Sequence, residues 1–447
     1  MSVILAENHD AAYHAWRAAG VTRRTLVHVD AHHDMWWVPD SSYLTIANFV
    51  SLAQADDMVG DVVWVVPDDT WEHGSSRRAL ARHLRKLAGT RVPLDRRSAT
   101  TAVRGKALHV CSLGTMPAVR GDILLDIDVD FFTIPRVSFR TTDVHSPLPW
   151  LWPGTLIERL GETSIAADLV TIAYSVEGGY TPLRWKYLGD DIAWRVQNPG
   201  VPAPGWNAMR EGATAAEEGR PADALRAFER AQAAGVGAAP SFHLALLALG
   251  QGRVEEARQR FRETVRIDSS YRTPFCGEGF TSLWAGRVDA AASEFAQFLL
   301  LDPDGPYAPL GLALVAVRRR RWSEAADQLE AALLIDADQV DAHRAMGDVR
   351  AHQGRREEAI AAYERSLRLT LAGRRPIERP IATDAMGDRV RDPDHCRVHA
   401  RLARLHASRG AIAQAINGYR IALAGGYGTL ATRAHLAWLY VLRTAHG

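Results

Sequence analysis

A ten-residue motif recurs at a nearly constant interval in the second half of this 447-residue chain. Its copies place an alanine and then an aromatic or leucine residue after a turn, and they read GRPADALRAF from Gly219, GRVEEARQRF from Gly252, GRVDAAASEF from Gly286, RRWSEAADQL from Arg320 and GRREEAIAAY from Gly354. Successive starts are 33, 34, 34 and 34 residues apart. Such a period indicates helix pairs that bury their apolar faces only by stacking on their neighbours. The sequence therefore predicts an all-α solenoid.

The repeated motif resembles the tetratricopeptide repeat. Small residues such as Ala257 and Ala359 let paired helices approach closely, while Phe261 and Tyr363 fill the groove between neighbours. A looser copy, GAIAQAINGY, begins at Gly410, which is 56 residues after Gly354, so we expect an insertion near residues 373–394. We predict a solenoid over residues 206–447 with about six helix pairs.

The first half of the chain follows a different pattern. Short apolar runs alternate with helical or loop stretches, and they are SVILA (2–6), TLVHV (25–29), DVVWVV (61–66), ALHVC (107–111), DILLDIDV (122–129) and DLVTIAYSV (168–176). Strands that are apolar on both faces and separated by crossovers are typical of a parallel sheet covered by helices on both faces. We predict an α/β domain over residues 1–200, with the run VPAPG at 201–205 as its boundary.

Acidic and imidazole side chains gather where three of these strands end. His9 follows the first strand, Asp30, His32 and Asp34 follow the second, and Asp126, Asp128 and Asp130 belong to the fifth. Residues two apart in a strand face the same side, so Asp30 and His32, or Asp126 and Asp128, can converge. The carboxylates of Asp30, Asp34, Asp126 and Asp128 would repel one another in a low-dielectric site, and two divalent cations would cancel their four negative charges. The oxygen and nitrogen donors suit Mn²⁺ or similar ions. His28 and His33 are expected to point away from this cluster.

These motifs resemble the arginase/ureohydrolase superfamily. The segment ENHDAAYHAW, the strand ending in DAHHD and the later DIDVD occur in the order and strand context of that family. The resemblance implies an arginase-like fold with a binuclear Mn²⁺ centre, for which Fe²⁺ or Co²⁺ are alternatives. It implies that one ion is held by His9, Asp30, Asp34 and Asp126, and the other by Asp30, His32, Asp126 and Asp128. Asp130 is expected only to support these ligands.

The sequence differs from ordinary arginases in ways that restrict the class of substrate implied by the resemblance. The turn after DAHHD reads MWWVPDSSYLTIANF and lacks the polar run by which arginases hold free arginine. The chain is thus most similar to peptide arginases, which convert arginine residues of a ribosomally made precursor peptide to ornithine and release urea. The resemblance implies a hydrolase of the C–N bond of a linear amidine, with Asp34 as the proton carrier and Glu177 as the carboxylate that binds the guanidinium. The repeats are expected to bind the precursor peptide.

Two other functions remain open at this stage. One is an arginase-fold hydrolase of a small guanidine or amide, similar to agmatinases or deacetylases. The other is a non-catalytic repeat scaffold. The sequence does not assign roles to His33, His145, Trp36 or Trp37.

Composition restricts partners and compartment. The formal net charge of +1 gives no general reason to expect nucleic-acid or membrane binding. Three widely spaced cysteines and an N-terminus without a basic leader predict a cytoplasmic protein. Oligomerisation is left open.

Overall fold

The computed structural model describes residues 1–36, 44–137, 145–163, 165, 167–377 and 393–445. The described chain divides into two compact units, the first ending at Thr281 and the second beginning at Ser282. The first unit contains a sheet with its helices and the earliest repeat helices. The second unit is helical throughout its regular structure.

A seven-stranded mixed sheet forms the core of the first unit. The strands are β1 (Ser2–Ala6), β2 (Arg24–Val29), β3 (Val59–Val66), β4 (Ser98–Val103), β5 (Lys106–Ser112), β6 (Ile123–Asp128) and β7 (Ala167–Ala173), and their order in the sheet is β1-β7-β6-β2-β3-β5-β4. All six predicted strands are present. The seventh, β4, was not predicted, and it pairs antiparallel with β5 while every other pair is parallel. The sheet is therefore mixed rather than purely parallel.

The β4–β5 hairpin turns through Arg104 and Gly105, whose φ angles are 52° and 79°. Two consecutive residues with positive φ match the twist of a tight hairpin, and glycine adopts this conformation without steric cost. The local sequence thus explains why this strand reverses direction although all the others need long crossovers.

Seven helices accompany the sheet in the described chain: α1 (Ala11–Ala18), α2 (Phe49–Ala55), α3 (Asp69–Glu72), α4 (Gly74–Ala88), α5 (Asp130–Thr133), α6 (Pro153–Glu162) and α7 (Tyr187–Gln197). Trp16 of α1, Phe49 of α2 and Leu80 of α4 are fully buried in one core cluster with Leu26 and Trp64 of the sheet. Each such side chain contributes about 1.5–3 kcal/mol by leaving water. Packing of these helices therefore fixes the strand ends from which the site residues project.

Helical hairpins follow the sheet region. They are built from α8 (Pro204–Glu217), α9 (Pro221–Ala233), α10 (Ala239–Gly250), α11 (Val254–Ile267), α12 (Gly279–Trp284), α13 (Val288–Leu301), α14 (Tyr307–Arg318), α15 (Trp322–Ile335), α16 (Val340–His352), α17 (Arg356–Leu371), α18 (Pro393–Ser408), α19 (Ile412–Ala424) and α20 (Leu430–Ala445). The predicted solenoid is confirmed as a helical repeat array. The expected insertion near 373–394 falls largely on residues 378–392, which lie outside the described residues.

The repeat motif marks the turn between the two helices of a hairpin. Gly252 and Gly354 have φ angles of 73° and 74°, so they occupy the left-handed position that ends the first helix. Ala257 and Phe261 are fully buried, as predicted from the motif. A further small residue, not recognised in the sequence, lies on the first helix, where a methyl group on Gly347 would sit 2.5 Å from the Tyr363 ring. Close packing of glycine against an aromatic ring therefore holds this hairpin together.

None of the described helices combines the length and apolar character needed to cross a membrane.

Candidate metal centre

Adjacent strands bring the predicted ligands together at one edge of the sheet. His28 of β2 lies beside Asp126 of β6, and Asp126 lies beside Thr171 of β7. From β2 the sheet continues to β3 and β5 on one side and to β6 and β7 on the other. Such a reversal in strand order opens a crevice at the carboxyl ends of the strands, where α/β proteins bind ligands. Asp30, Asp126 and Asp128 lie at this edge.

The His9 imidazole is enclosed by four carboxylates. Its Nδ1 atom lies 3.1 Å from Asp30 Oδ2, 3.2 Å from Asp34 Oδ2 and 3.1 Å from Asp128 Oδ2. Its Nε2 atom lies 2.7 Å from Asp126 Oδ2. Neither ring nitrogen meets the geometry of a hydrogen bond within the described chain, and both are buried. One nitrogen that faces three carboxylate oxygens cannot satisfy them with a single proton, whereas metal ligands that share a centre are arranged in this way.

His28 belongs to the cluster, and the prediction that it points away was wrong. Its Nδ1 atom lies 2.9 Å from Asp126 Oδ2, its Nε2 atom lies 3.3 Å from Asp30 Oδ2, and the side chain is fully buried. The reason is strand alternation, because positions 28 and 30 share one face. His33 belongs to none of the sets of described side chains that could hold an ion. Its Nδ1 atom accepts a hydrogen bond from the Met35 amide at 2.9 Å, and its ring packs against Trp36 and Trp64.

Four sets of side chains have ligand atoms close enough to share an ion. They are His9 with His28 and Asp126; His9 with Asp30 and Asp128; His28 with Asp30 and Asp34; and Asp30 with His32 and Asp130. All six predicted metal ligands are among them, and Asp30 belongs to three of the sets. Asp130 takes part more directly than expected, because its Oδ2 atom lies 2.9 Å from His32 Nδ1. The implied division of ligands between two ions remains a prediction.

Hydrogen bonds from neighbouring groups orient the carboxylates. Thr171 donates to Asp126 Oδ1, and Ser175 donates to Asp128 Oδ2 at 2.7 Å. The His32 amide donates to Asp30 Oδ1 at 2.6 Å. Sequence reasoning missed Thr171 and Ser175, although both come from the strand predicted at 168–176. Their position beside β6 depends on the order of strands in the sheet, which the sequence does not specify. Donors of this kind fix the orientation of metal ligands and tune their basicity.

The carboxylates of the cluster differ in pKa: despite burial, which raises it, the neighbouring imidazoles lower the pKa of Asp30 and of Asp126, while Asp34 and Asp130 behave oppositely. Burial, followed by the charge of Asp30, raises the pKa of Asp34 to about 6. Burial, followed by the charge of Asp128, raises the pKa of Asp130 well above its ordinary value. Burial alone would lower the pKa of His9, but Asp126 and Asp128 raise it well above the usual value. The carboxylates therefore favour a cation in their midst.

These observations fit a divalent cation site. Asp30 Oδ2 and Asp130 Oδ1 are buried without a hydrogen bond in the described chain, in addition to both nitrogens of His9. Carboxylate and imidazole donors without a thiolate suit Mn²⁺, Fe²⁺ or Co²⁺ better than a structural zinc ion. Metal ions would compete with protons for His9 and His28, because only neutral imidazole coordinates a metal.

Glu177 lies in the turn that follows β7. Its Oε2 atom accepts a hydrogen bond from Asn8 Nδ2 at 2.9 Å, and Asn8 immediately precedes His9. The turn is fixed by Glu7, whose Oε1 atom accepts the amides of Val176 and Glu177, both at 2.9 Å. Glu177 is half-buried and is therefore accessible from one side. The Glu177 carboxylate is thus held at the residue that precedes His9, while its role as a catalytic group remains a prediction.

The segment from Asp268 to Thr281, which follows α11, packs against this same part of the chain. A methyl group on Gly179 would collide with the Thr281 side chain, and Phe275 lies nearby. Lys186 is buried, donates to Asp268 Oδ2 at 2.8 Å and lies 4.2 Å from the centre of the Tyr174 ring. The turn that carries Glu177 is therefore supported from the repeat side of the first unit.

The remaining residues without an assigned role lie in several places. Trp36 packs against His33 and His83. His145 Nδ1 lies 3.4 Å from Thr133 Oγ1. Trp37 lies outside the described residues.

Comparison with known proteins identifies the repeats. The tetratricopeptide repeat model matches residues 209–272, 283–342 and 310–370, so the chain carries these repeats as predicted. A comparison with curated proteins finds no match.

Several solved repeat structures are similar to parts of the chain. A crystal structure of MamA is 16% identical, with 48% of this chain and 93% of that chain covered and a TM-score of 0.23. A thermophilic tetratricopeptide repeat protein from Thermus thermophilus is 21% identical, with 53% and 99% covered and a TM-score of 0.21. YrrB, described as having an unusual peptide-binding site, is 17% identical, with 47% and 98% covered and a TM-score of 0.29.

Proposed function

We propose that this chain is a metal-dependent hydrolase that converts arginine residues of a precursor peptide to ornithine and releases urea. The observation that carries the proposal is the enclosure of His9 by four carboxylates at 2.7–3.2 Å. Such a cluster is unfavourable in a buried site unless a cation compensates it. The arginase-type motifs around it support the choice of a guanidinium substrate and of two Mn²⁺ ions.

The proposed reaction replaces one C–N bond by a C–O bond. Bound divalent ions would supply a water nucleophile of lowered pKa at neutral pH. The water oxygen bonds to the guanidinium carbon, the bond from that carbon to the side-chain nitrogen breaks, and urea leaves an ornithine amine behind. In this scheme Asp34 takes the proton of the water and passes it to the leaving nitrogen. Asp34 Oδ2 lies 3.2 Å from His9 Nδ1, so its carboxylate belongs to the cluster at which the water would be activated.

Glu177 is proposed to bind the guanidinium. A carboxylate can accept two parallel N–H bonds from this planar group, which fixes both its position and its orientation. The position of Glu177 next to Asn8 and its half-buried side chain support this role. The hydrogen bonds that Glu7 accepts from the amides of Val176 and Glu177 fix the backbone of the turn that carries this carboxylate.

The tetratricopeptide repeats support a peptide rather than free arginine as the substrate. Stacked helical repeats create extended binding surfaces, which a small guanidine would not need. The repeat match also favours a second candidate function, a non-catalytic scaffold that binds a peptide through its repeats. The two functions share the binding step and differ in whether the acidic cluster turns over a substrate.

The test measures metal content, urea release and conversion of peptide-bound arginine by mass spectrometry, using the full chain with Mn²⁺. We expect about two ions per chain and urea from an arginine-containing peptide but not from free arginine. Asp126→Asn should abolish turnover. Asp122→Asn, at an exposed position just before β6, is the matched control and should leave it unchanged.

Other results would select among the alternatives. Urea from agmatine or free arginine would favour a hydrolase of small guanidines. Peptide binding without bound metal or turnover would favour the scaffold and refute the hydrolase.

A further inference from the structure

A cavity of about 360 Å³ lies among α6, α7 and α8, all of which belong to the first unit. Two of its walls are indole rings, that of Trp152 just before α6 and that of Trp206 on α8, and most of its other lining residues are polar or charged. We name it the α6–α8 cavity. It shares no residue with the candidate metal centre. Its volume falls within the range of sites that bind small molecules, which begins at about 300 Å³.

A fixed guanidinium forms part of the cavity wall. Arg195 Nε donates to Asp191 Oδ1 at 2.6 Å, and Arg195 Nη2 donates to Asn207 Oδ1 at 3.2 Å. These bonds connect α7 with α8, and the Arg195 side chain is only 19% exposed. A guanidinium has five N–H donors, and its bonds to described residues use two of them. The remaining donors of Arg195 are therefore held in place at the cavity, where a ligand can accept them.

A second arginine and a buried hydroxyl add to this side of the cavity. Burial raises the pKa of Asp191 to about 6, although the charges of Arg195 and Arg210 act to lower it. Asp191 and Arg210 also act on the pKa of Tyr187, which burial raises, so its hydroxyl lies near both of them. This hydroxyl is buried and has no hydrogen-bond partner in the described chain. Two arginines face one aspartate here, and the unpaired hydroxyl is a further donor, so this side favours an anionic group.

An acidic side chain lines the same cavity. Glu158 is exposed on α6, and it forms no ion pair with any described residue. Arg210 is exposed on α8 and likewise forms no ion pair with the described chain, so these two opposite charges do not pair with each other. A simple anion at Arg210 would be repelled by Glu158. A ligand that carries both a carboxylate and an ammonium group can pair with both residues.

We propose that the α6–α8 cavity binds a free α-amino acid with an apolar side chain. Its carboxylate accepts hydrogen bonds from Arg195 and Arg210, and its ammonium group pairs with Glu158. Its side chain packs against the rings of Trp152 and Trp206. An amino-acid residue inside a peptide is a poorer fit, because it has neither of the two charges. This site is independent of the proposed hydrolase.

Binding is tested by isothermal titration of the full chain with leucine in the presence of a chelator, which keeps metal ions out of the measurement. We expect saturable binding of about one molecule per chain and a change in tryptophan fluorescence, since two walls of the cavity are indole rings. Leucinamide lacks the carboxylate and N-acetylleucine lacks the ammonium charge. Each should bind at least about tenfold more weakly than leucine, because each loses a charge-assisted interaction. Glutamate and lysine should also bind more weakly, because their charged side chains would lie against the indole rings.

Two variants test the positions of the two charges. Arg210→Gln should weaken leucine binding at least about tenfold and leave leucinamide binding unchanged, because leucinamide has no carboxylate for Arg210 to bind. Glu158→Gln should weaken leucine binding and leave N-acetylleucine binding unchanged for the corresponding reason. Arg85→Gln on α4 and Glu217→Gln on α8 are the matched controls, since both positions are exposed and lie outside the cavity lining. Both controls should bind leucine as the parent protein does.

Circular dichroism of each variant checks that the fold is retained. Failure of leucine to bind saturably would overturn the proposal, and so would an equal loss of binding in the matched controls. N-acetylleucine or inorganic phosphate that binds as tightly as leucine would show a site for simple anions instead. Glutamate or lysine that binds as tightly as leucine would refute the packing of the ligand side chain against the indole rings.

Discussion

The sequence predicts that His28 points away from the metal cluster, whereas the structure places it inside the cluster. The substitution His28→Gln therefore tests the candidate metal centre most directly. The imidazole is fully buried between Asp126 and Asp30, at 2.9 and 3.3 Å. Glutamine is uncharged and fills a comparable volume without an imidazole nitrogen. The substitution therefore removes an imidazole that either binds the ion or orients Asp30 and Asp126, and it leaves the neighbouring strand positions unchanged.

The expected magnitude depends on whether metal is bound. Loss of a group that ligates a metal or orients its ligands costs 10–100-fold in affinity, or about 1.4–2.7 kcal/mol. Without metal, Asp30 and Asp126 lose a positively charged neighbour in a fully buried site, which costs about 3–5 kcal/mol of unfolding free energy. His33→Gln, the control, alters an imidazole that burial keeps neutral by lowering its pKa and that belongs to none of the described ligand sets. Its loss of the hydrogen bond from Met35 should cost about 1–2 kcal/mol and spare metal affinity.

Isothermal titration of chelator-treated protein with Mn²⁺ measures the metal affinity of both variants, and urea denaturation with and without metal measures their stability. Equal Mn²⁺ affinity in His28→Gln and the parent protein would refute the role of His28. An equally large loss of affinity in His33→Gln would show that the measurement reports general destabilisation of the segment after β2 rather than loss of a group from the cluster.

Three further predictions follow from the described contacts. The fold raises the pKa values of His9 and His28. The stability that they contribute without metal is therefore complete below about pH 6.5 and is lost as the pH rises through their folded pKa values. Urea denaturation in the presence of a chelator should show this decline, and Mn²⁺ should reduce it. Gly347→Ala should destabilise the chain by about 1–3 kcal/mol in thermal unfolding, because the new methyl group meets the Tyr363 ring. Gly250→Ala is the control: it has open space around it and should be neutral or stabilising by up to about 1 kcal/mol in the same measurement. Lys186→Met should lower the free energy of unfolding by about 2 kcal/mol, less than the loss of a fully buried ion pair, because Asp268 is partly exposed. Lys186→Arg should retain more stability. An unchanged unfolding midpoint for Lys186→Met would contradict a stabilising role of the Lys186–Asp268 pair.

The repeats were predictable because their information is local and repeated. Each motif carries a turn residue, a small residue and an aromatic at fixed offsets, and Gly252, Ala257 and Phe261 occupy the expected environments. Strand β4 was missed for the opposite reason. Its sequence, SATTAV, is short and polar, and it becomes a strand because the Arg104–Gly105 turn returns the chain along β5.

The ligands of the site were predictable as a set, but their arrangement was not. Asp30, Asp126 and Asp128 stand out because carboxylates at the ends of apolar strands are costly. Which side chains meet across strands depends on the order β7-β6-β2, which single-sequence patterns do not determine. Thr171 and Ser175 illustrate this, since neither is unusual in its own strand and both gain a role only beside β6.

The contacts around Lys186 connect the two kinds of structure within the first unit. Lys186 follows the turn that carries Glu177, and it contacts Asp268 and the ring of Tyr271, which come from the end of the second repeat. Gly179 accommodates Thr281 because it lacks a side chain. Glu7 binds the same turn from the β1 side, through the amides of Val176 and Glu177. The Glu177 turn is therefore held both by β1 and by the segment that follows α11. A substitution in either of these contacts should change the position of the side chain proposed to bind the guanidinium.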